Sequence, residues 1–315
     1  MTLLRHATEL KPQGRPVCLA IGMFDGVHLG HQQVIRQAVT DAEQHEGVAV
    51  VVTFDQHPAS VLAPGRVPPL IHSLPQKLRT IEALRVEVVL LIHFDRAFSL
   101  KTGETFVREL VRDLGRIQSL CVGSAFTFGH QRSGNIELLR RLGREFGFAV
   151  HGLAAVALDG QTVSSTRIRD AIRAGRLDVA QQMLGCEYSL AGQVVEGDRL
   201  GRKLGFPTAN LDSSGLVLPP GGVYAVHVAA GGTRHRGVLN IGHRPTLENP
   251  LPQLRVEAHL LDFNGDLYGQ EIEVTFVEKL REERKFPSLD ALRQQIERDV
   301  TLARTKFAAQ PSGNR

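Results

Sequence analysis

Two short segments concentrate residue types that handle phosphate. The first is Gly22-Met23-Phe24-Asp25-Gly26-Val27-His28-Leu29-Gly30-His31, where an apolar run meets an amphipathic one. Glycine lets backbone approach an anion closely, and a helix start presents unpaired N–H groups. Two imidazoles can donate to oxygens that gain charge as a phosphoryl group is displaced. His28 and His31 are thus the candidate catalytic residues, and Gly22, Phe24, Asp25, Gly26 and Gly30 the candidate binding positions. Each histidine by itself could equally be a capping or surface residue, and H-x-x-H without a third ligand is incomplete as a zinc site. The second segment, Gly197-Asp198-Arg199-Leu200-Gly201-Arg202-Lys203-Leu204-Gly205-Phe206-Pro207-Thr208-Ala209-Asn210, gathers glycines, cations and a proline-fixed turn. It is not a Walker A loop, since G-x-x-x-x-G-K-[ST] is absent. Gly197, Gly201, Arg202, Lys203, Gly205 and Pro207 are candidates for receiving phosphates. Thr208 and Asn210 are neutral oxygen donors, of which a Mg²⁺ ion held by water and nucleotide phosphates needs one or two. A polar turn entering a strand is the plainer alternative.

These segments must be held by something large enough to have a core. The chain has 315 residues, 37 Lys+Arg against 33 Asp+Glu for a net charge of +4, 42% hydrophobic and 22% charged residues, the composition of a folded globular protein. At about 150 residues per domain, two domains are expected. Cys18, Cys121 and Cys186 are odd in number, far apart and in no C-x-x-C spacing, which argues against a disulfide framework or a cysteine zinc site. The longest apolar runs, Val48–Phe54 and residues 86–94, fall well short of the roughly 20 residues of a membrane-spanning helix. Residues 1–16 hold no apolar stretch of signal-peptide length. The expectation is a cytoplasmic protein with no membrane and no nucleic-acid partner, because a +4 excess without a Lys/Arg block fits small phosphorylated ligands equally well.

Residues 17–24 are nearly all apolar, and 29–46 then carry Val34, Ile35, Ala38, Val39 and Ala42 at helical spacing: strand, turn, helix. The pattern recurs as strand Val48–Phe54, helix 74–84 with Ser73 as N-cap, strand 86–94, helix 104–114, strand 117–122 and helix 135–146. Such alternation predicts an α/β fold with a doubly wound parallel sheet, Rossmann-like, whose ligand lies at the carboxyl ends of the strands. A last helix over 176–184 closes this texture, so residues 1–184 are assigned to a first domain and 185–315 to a second. There, Ser189–Val195 and residues 223–229, 236–241, 254–263 and 271–277, joined by glycine-containing turns, predict an antiparallel β-barrel. A closing helix over 289–307, with Ser288 as N-cap, would lay Leu289, Leu292, Ile296 and Val300 on the barrel.

The H-x-G-H core of the first segment resembles the signature of nucleotidylyltransferases. Its longer form, Gly-x-Phe-Asp-Gly-Val-His-x-Gly-His, resembles the bacterial bifunctional riboflavin kinase/FAD synthetases. The resemblance continues through Thr53-Phe54-Asp55-Gln56-His57-Pro58, Phe126-Thr127-Phe128-Gly129 with Arg132 and Gly134, and Val163-Ser164-Ser165-Thr166-Arg167-Ile168-Arg169. It implies a first domain that joins FMN to the AMP part of ATP and releases pyrophosphate, without a covalent enzyme intermediate. Ser164, Ser165 and Thr166 would bring hydroxyls and N–H groups to a helix start and Arg167 a fixed cation, suited to the leaving pyrophosphate. A Ser/Thr cap with a solvated arginine is the competing reading. His57 follows a buried strand and is a candidate substrate contact, with a structural loop role equally open. The clearest departure is Ala125, where relatives usually carry Asp or Asn. Alanine cannot hydrogen-bond FMN or the nucleotide, so a weakened transferase is expected unless Ser124, Thr127, His130 or a water supplies the bond.

In the second domain the resemblance to riboflavin kinases runs through Pro207-Thr208-Ala209-Asn210, Gly222-Val223-Tyr224-Ala225, Asn240-Ile241-Gly242 with Arg244-Pro245-Thr246, and Glu257-Ala258-His259-Leu260-Leu261-Asp262-Phe263. Alternation puts Leu254, Val256, Ala258 and Leu260 on one face and Arg255, Glu257 and His259 on the other. The resemblance implies that Glu257 is the base for the ribityl 5'-hydroxyl of riboflavin; a solvent-facing barrel glutamate is the alternative. Leu280-Arg281-Glu282-Glu283-Arg284-Lys285-Phe286 has the charge density of a solvated turn or helix start. It also matches a segment that approaches the flavin, which makes Arg281 and Phe286 candidate contacts. The implied protein makes FMN from riboflavin and FAD from FMN, with ATP as co-substrate and Mg²⁺ as cofactor. Flavins are then substrates and products, not prosthetic groups. The rival readings are a riboflavin kinase with a weakened or degenerate transferase domain, a non-catalytic flavin-sensing regulator, and a nucleic-acid binder.

Overall fold

In the computed structural model, which describes residues 1–11, 14–197, 200–243 and 254–309, the β-branched apolar runs become strands buried on both faces. The strands β1 (Thr2–Leu4), β2 (Val17–Ile21), β3 (Val48–Phe54), β4 (Val88–Ile92), β5 (Ile117–Gly123) and β6 (Ala149–Leu153) form a parallel sheet in the order β1-β4-β3-β2-β5-β6. They are linked by α1 (Leu29–Gln44), α2 (Ala59–Leu62), α3 (Leu74–Glu82), α4 (Arg96–Ser99), α5 (Gly103–Leu114) and α6 (Ile136–Phe146). α1 and α3 cover one face through Val34, Ile35 and Ile81, while α5 and α6 cover the other through Val107, Leu110 and Leu139. The expected doubly wound sheet is therefore present. Because β2, β3 and β4 progress to one side and β5 and β6 to the other, the winding reverses between β2 and β5. The carboxyl ends of those two strands border the crevice in which such sheets bind ligands. Beyond β6 come the hairpin β7 (Ala157–Leu158) and β8 (Gln161–Thr162), then α7 (Ser165–Arg173) and α8 (Leu177–Leu184).

The strand expected over 17–24 ends at Ile21. Phe24 adopts left-handed backbone, φ 51°, and Asp25–Val27 coil into a single 3-10 turn that redirects the chain into α1. Strands β1 and β6 carry no pattern to announce them: the former is three residues long, and the latter is a half-buried edge strand interrupted by His151 and Gly152.

The barrel consists of β9 (Ser189–Val195), β10 (Ala209–Leu211), β11 (Gly222–Ala230), β12 (Thr233–His243), β13 (Leu254–Leu260) and β14 (Glu271–Arg281), closed in the antiparallel order β10-β13-β12-β11-β14-β9. The short helix α9 (Leu200–Lys203) precedes β10, and α10 (Leu289–Ala309) follows the barrel. Ser288 caps α10, its Oγ accepting the N–H of Ala291 at 3.2 Å. The apolar stripe needs correction. Leu289 is 58% exposed, and the residues seated on Val223, Ala225 and Val238 are Val300, Ala303 and Phe307. The helical phase is as expected, but close packing starts only where Asp299 receives the Arg281 guanidinium. β13 stops at Leu260 because Asp262 turns with φ 59°, and Leu254 is exposed at the other end. β14 runs on to Arg281, so the charge run starts as strand rather than as turn.

The chain divides into two compact units, Met1–Arg167 with Met183–Gly185, and Ile168–Gln182 with Cys186–Arg315. No helix among the described residues is long and apolar enough to cross a membrane.

Candidate active sites

The segment 22–31 leaves β2 where the winding reverses. Gly22 donates its N–H to Val52 O at 3.1 Å. Gly26 turns with φ 77° directly against Ile71, which stands 2.9 Å from where a Cβ would be, so only glycine fits. The buried Asp25 carboxylate accepts the N–H of Ile71 at 2.9 Å and that of His72 at 3.5 Å, tying the turn to the approach to α3. His28 caps α1, its Nδ1 accepting the His31 N–H at 3.4 Å, and therefore carries its proton on Nε2. The His28 and His31 rings stack with centroids 3.6 Å apart, over Gly30, and Phe24 meets His31 edge-on at 5.3 Å. The Nδ1 of His31 is buried and finds no partner among the described residues. Burial pushes His28 down to about 4 although Asp25 pulls upward, and burial, then His28 and Lys77, push His31 well below its ordinary value. These shifts favour the neutral form of both imidazoles at physiological pH, in which a ring can donate a hydrogen bond but carries no charge.

A second motif reaches the same turn. Ser165 Oγ donates to Asp25 O at 3.1 Å across 140 residues of sequence. Ser164 Oγ accepts the Arg167 N–H at 3.3 Å, and the Arg167 guanidinium donates to the carbonyls of Leu158 and Gln161 at 3.0 Å each. The serine does cap the helix start, but the arginine is pinned by the β7–β8 hairpin instead of being solvated. Thr166 is exposed. His57 lies on the loop after β3, its Nδ1 accepting the Ala59 N–H at 3.0 Å, and Ala125 is exposed on the turn after β5. The structure thus joins 22–31 to Ser165, with His57 and Ala125 on neighbouring loops. Lys77 was not singled out by sequence. Its signal was a lysine at a core phase of α3, in line with Leu74, Leu78 and Ile81.

In the barrel, strand register assembles the second constellation. Asn210 on β10 and Asn240 on β12 are both direct partners of Glu257 on β13. Directly opposed residues share a face, so the three form a row on the outside while Leu239, Val256 and Ala258 point inward. On the same face, His259 donates from Nδ1 to Pro207 O at 2.8 Å and meets Phe206 edge-on at 5.5 Å, which fastens the glycine-rich turn to β13. That turn needs its glycines: a Cβ on Gly201 would strike Phe206 O and stand 3.2 Å from Thr208 Oγ1, and one on Gly197 would collide with the Asn210 amide. Gly205 turns with φ 90°. Arg202, Pro207 and Thr208 line a cleft of about 210 Å³ with Phe263, Asp266 and Tyr268, while Lys203 is exposed beside them. Asp198, Arg199, Arg244, Pro245 and Thr246 lie outside the described residues.

Arg281 donates from Nε and Nη2 to the buried Asp299 carboxylate at 3.0 and 2.8 Å, and from Nη1 to Glu282 O at 2.9 Å. Its charge is thus already paired, and its guanidinium lies 5.6 Å from the centre of the Phe286 ring. Asn240 and His259 lie inside recognisable sequence motifs, yet only register and a hydrogen bond show what they touch.

Two family models match, FAD synthetase over residues 10–167 and riboflavin kinase over residues 184–307. The chain is 40% identical over 308 residues to the bifunctional riboflavin kinase/FMN adenylyltransferase of Haemophilus influenzae, covering 98% of this chain and 99% of that one. It is 40% identical over 316 residues to the protein of that name from Pseudomonas fluorescens, covering 100% of each, and 38% over 309 residues to that of Escherichia coli K12, covering 98% of each. A solved structure described as a macrolide-efflux protein from Streptococcus pneumoniae aligns with a TM-score of 0.80 at 29% identity, over 96% of this chain and 98% of that one.

Proposed function

The chain belongs to the family of bifunctional riboflavin kinase/FMN adenylyltransferases, and from that membership we propose which residues carry each reaction. The protein phosphorylates riboflavin to FMN and adenylylates FMN to FAD, with ATP as the second substrate of both steps. The observation that carries the assignment is that each half matches a different enzymatic family, 10–167 and 184–307. It supports a transferase half followed by a kinase half, with the boundary placed near Gly185 although residues 168–182 cluster with the second compact unit.

For the transferase, an FMN phosphate oxygen attacks the α-phosphorus of ATP, and the bond to the β-phosphate oxygen breaks. Charge grows on the non-bridging oxygens, where the Nε2–H of His28 and the His31 ring donate without giving up a proton. Ser164, Ser165 and Thr166 at the α7 start, with Arg167, receive the pyrophosphate. For the kinase, Glu257 takes the proton of the ribityl 5'-hydroxyl as that oxygen attacks the terminal phosphorus and ADP departs. Mg²⁺ fits Thr208 and Asn210, whose polar groups fill the space that Gly197 and Gly201 leave open. When bound, the ion neutralises phosphate charge. Phe286, held by Arg281, is the flavin contact. The ATP requirement and the unpaired thiols of Cys18, Cys121 and Cys186 support a cytoplasmic setting.

Incubating the purified protein with riboflavin and Mg-ATP tests the reading. Chromatography is expected to show FMN first and FAD after it; neither product would overturn it. Ala125 motivates a second reading, a slow transferase, since an apolar residue stands on the turn after β5 that borders the crevice. Ala125→Asn is expected to raise FMN adenylylation by roughly ten- to a hundredfold, the worth of one hydrogen bond to a charged or polar ligand group. An unchanged rate and unchanged FMN affinity would mean that another group already fills the role.

A further inference from the structure

Lys77 has no part in the chemistry above, yet it is a buried cation, 5% exposed on the sheet-facing side of α3. An ammonium in a protein interior is destabilising unless its protons find acceptors. Lys77 Nζ donates to Phe54 O at 2.7 Å and reaches Thr53 Oγ1 at 3.4 Å and Met23 O at 3.5 Å. Thr53 Oγ1 itself donates to Met23 O at 3.1 Å. Three acceptors match the three protons of an ammonium. They belong to the end of β3 and to the residue just before Phe24, where the chain leaves the sheet for the histidine turn. Burial pulls Lys77 down to about 8, while Asp25 and Asp55 pull it upward, so the group is charged at neutral pH.

We propose that Lys77 is a positioning residue for adenylyl transfer: its ammonium locks the backbone at Met23 and Phe54 and so fixes the angle at which the turn presents His28 and His31 to the phosphates. The inference rests on the roles given above to those histidines. With its protons engaged by the protein, Lys77 does not contact substrate, and its action passes through the turn. Asp25 extends the same lock in two directions, since its carboxylate holds the N–H of Ile71 and its carbonyl accepts from Ser165. A shift of the turn therefore reaches the pyrophosphate end of the site as well as the histidine end. The Lys77 charge also helps to keep His31 neutral.

Lys77→Met keeps the stem and deletes the charge. The kcat for FMN adenylylation is expected to fall by roughly a hundredfold, the effect of misplacing reacting groups by about an ångström, with KM for FMN and ATP nearly unchanged. Riboflavin phosphorylation by the same preparation should persist. The ¹⁵N signals of the His31 imidazole are expected to move, which a general loss of stability without a change at the turn would not produce. If Lys77→Met does not fold, Thr53→Val decides, because it removes only the hydroxyl linking Lys77 to Met23 O; a kcat lowered about tenfold at constant KM is expected. Wild-type kcat in the folded Lys77→Met protein, or in Thr53→Val, would overturn the proposal, as would unmoved His31 signals. Absence of FAD synthesis by the wild type would instead remove the functional reading beneath it.

Discussion

Glu257→Gln is expected to all but abolish FMN formation from riboflavin, slowing it about a thousandfold, while FAD formation from supplied FMN continues at the wild-type rate. Glutamine keeps the size and the hydrogen-bonding reach of the side chain but cannot take a proton at neutral pH. A general base contributes about 10²- to 10⁴-fold, so the kinase should lose roughly three orders of magnitude, or about 4 kcal/mol of transition-state stabilisation. The row Asn210–Glu257–Asn240 is set by backbone pairing in β10, β13 and β12 and stays in place when one oxygen becomes nitrogen. Both activities can be followed by chromatography of flavins from one preparation, once with riboflavin and once with FMN. A kinase rate unchanged in the variant would take the base role away from Glu257. Equal loss of both activities would mean misfolding.

How far this arrangement was legible beforehand depended on the range of the interaction that builds each part. Local periodicity gave the alternating strands and helices of the first half, and Ser73 and Ser288, read as caps, do cap their helices through contacts three residues away. The histidine turn was visible as composition, but its shape was not. Phe24 ends an apolar run and reads as strand, while the left-handed backbone it adopts follows from Gly26 lying against Ile71 and from Asp25 gripping the chain beyond it. The bond from Ser165 to Asp25 could not be anticipated from spacing, because nothing in a run of 140 residues fixes where the two ends meet. β10 escaped for a related reason: Ala209–Leu211 is too short to show alternation and is a strand only because β13 and β9 flank it. Arg281 shows the converse, a long-range partner hidden by local composition. Charge density alone reads as a solvated turn, one of the two readings open for this segment, whereas a carboxylate on α10, eighteen residues later, draws the guanidinium out of solvent.

His28→Ala is expected to slow FAD formation from FMN by about 10²- to 10³-fold, the usual cost of deleting one preorganised donor to a developing oxyanion, and to leave riboflavin phosphorylation intact. Two roles are superimposed on this ring, and they can be separated. As the cap of α1, His28 accepts the His31 N–H, and alanine forfeits that bond, worth about 1 kcal/mol of stability. His28→Asn restores a side-chain acceptor suited to capping but is too short to present a donor where Nε2–H stands. If capping were the whole role, asparagine would recover the wild-type rate and the wild-type melting temperature together. If His28 binds the transition state, asparagine recovers stability alone and kcat stays low. The pH profile supplies an independent check on which protonation state works. Burial holds His28 neutral until pH falls toward about 4, so protonation of this residue removes no activity between pH 8 and 6. An acid limb centred near pH 6.5 that vanishes in His28→Asn would show instead that the ring titrates at its ordinary value, and the role of neutral donor would have to pass to another group.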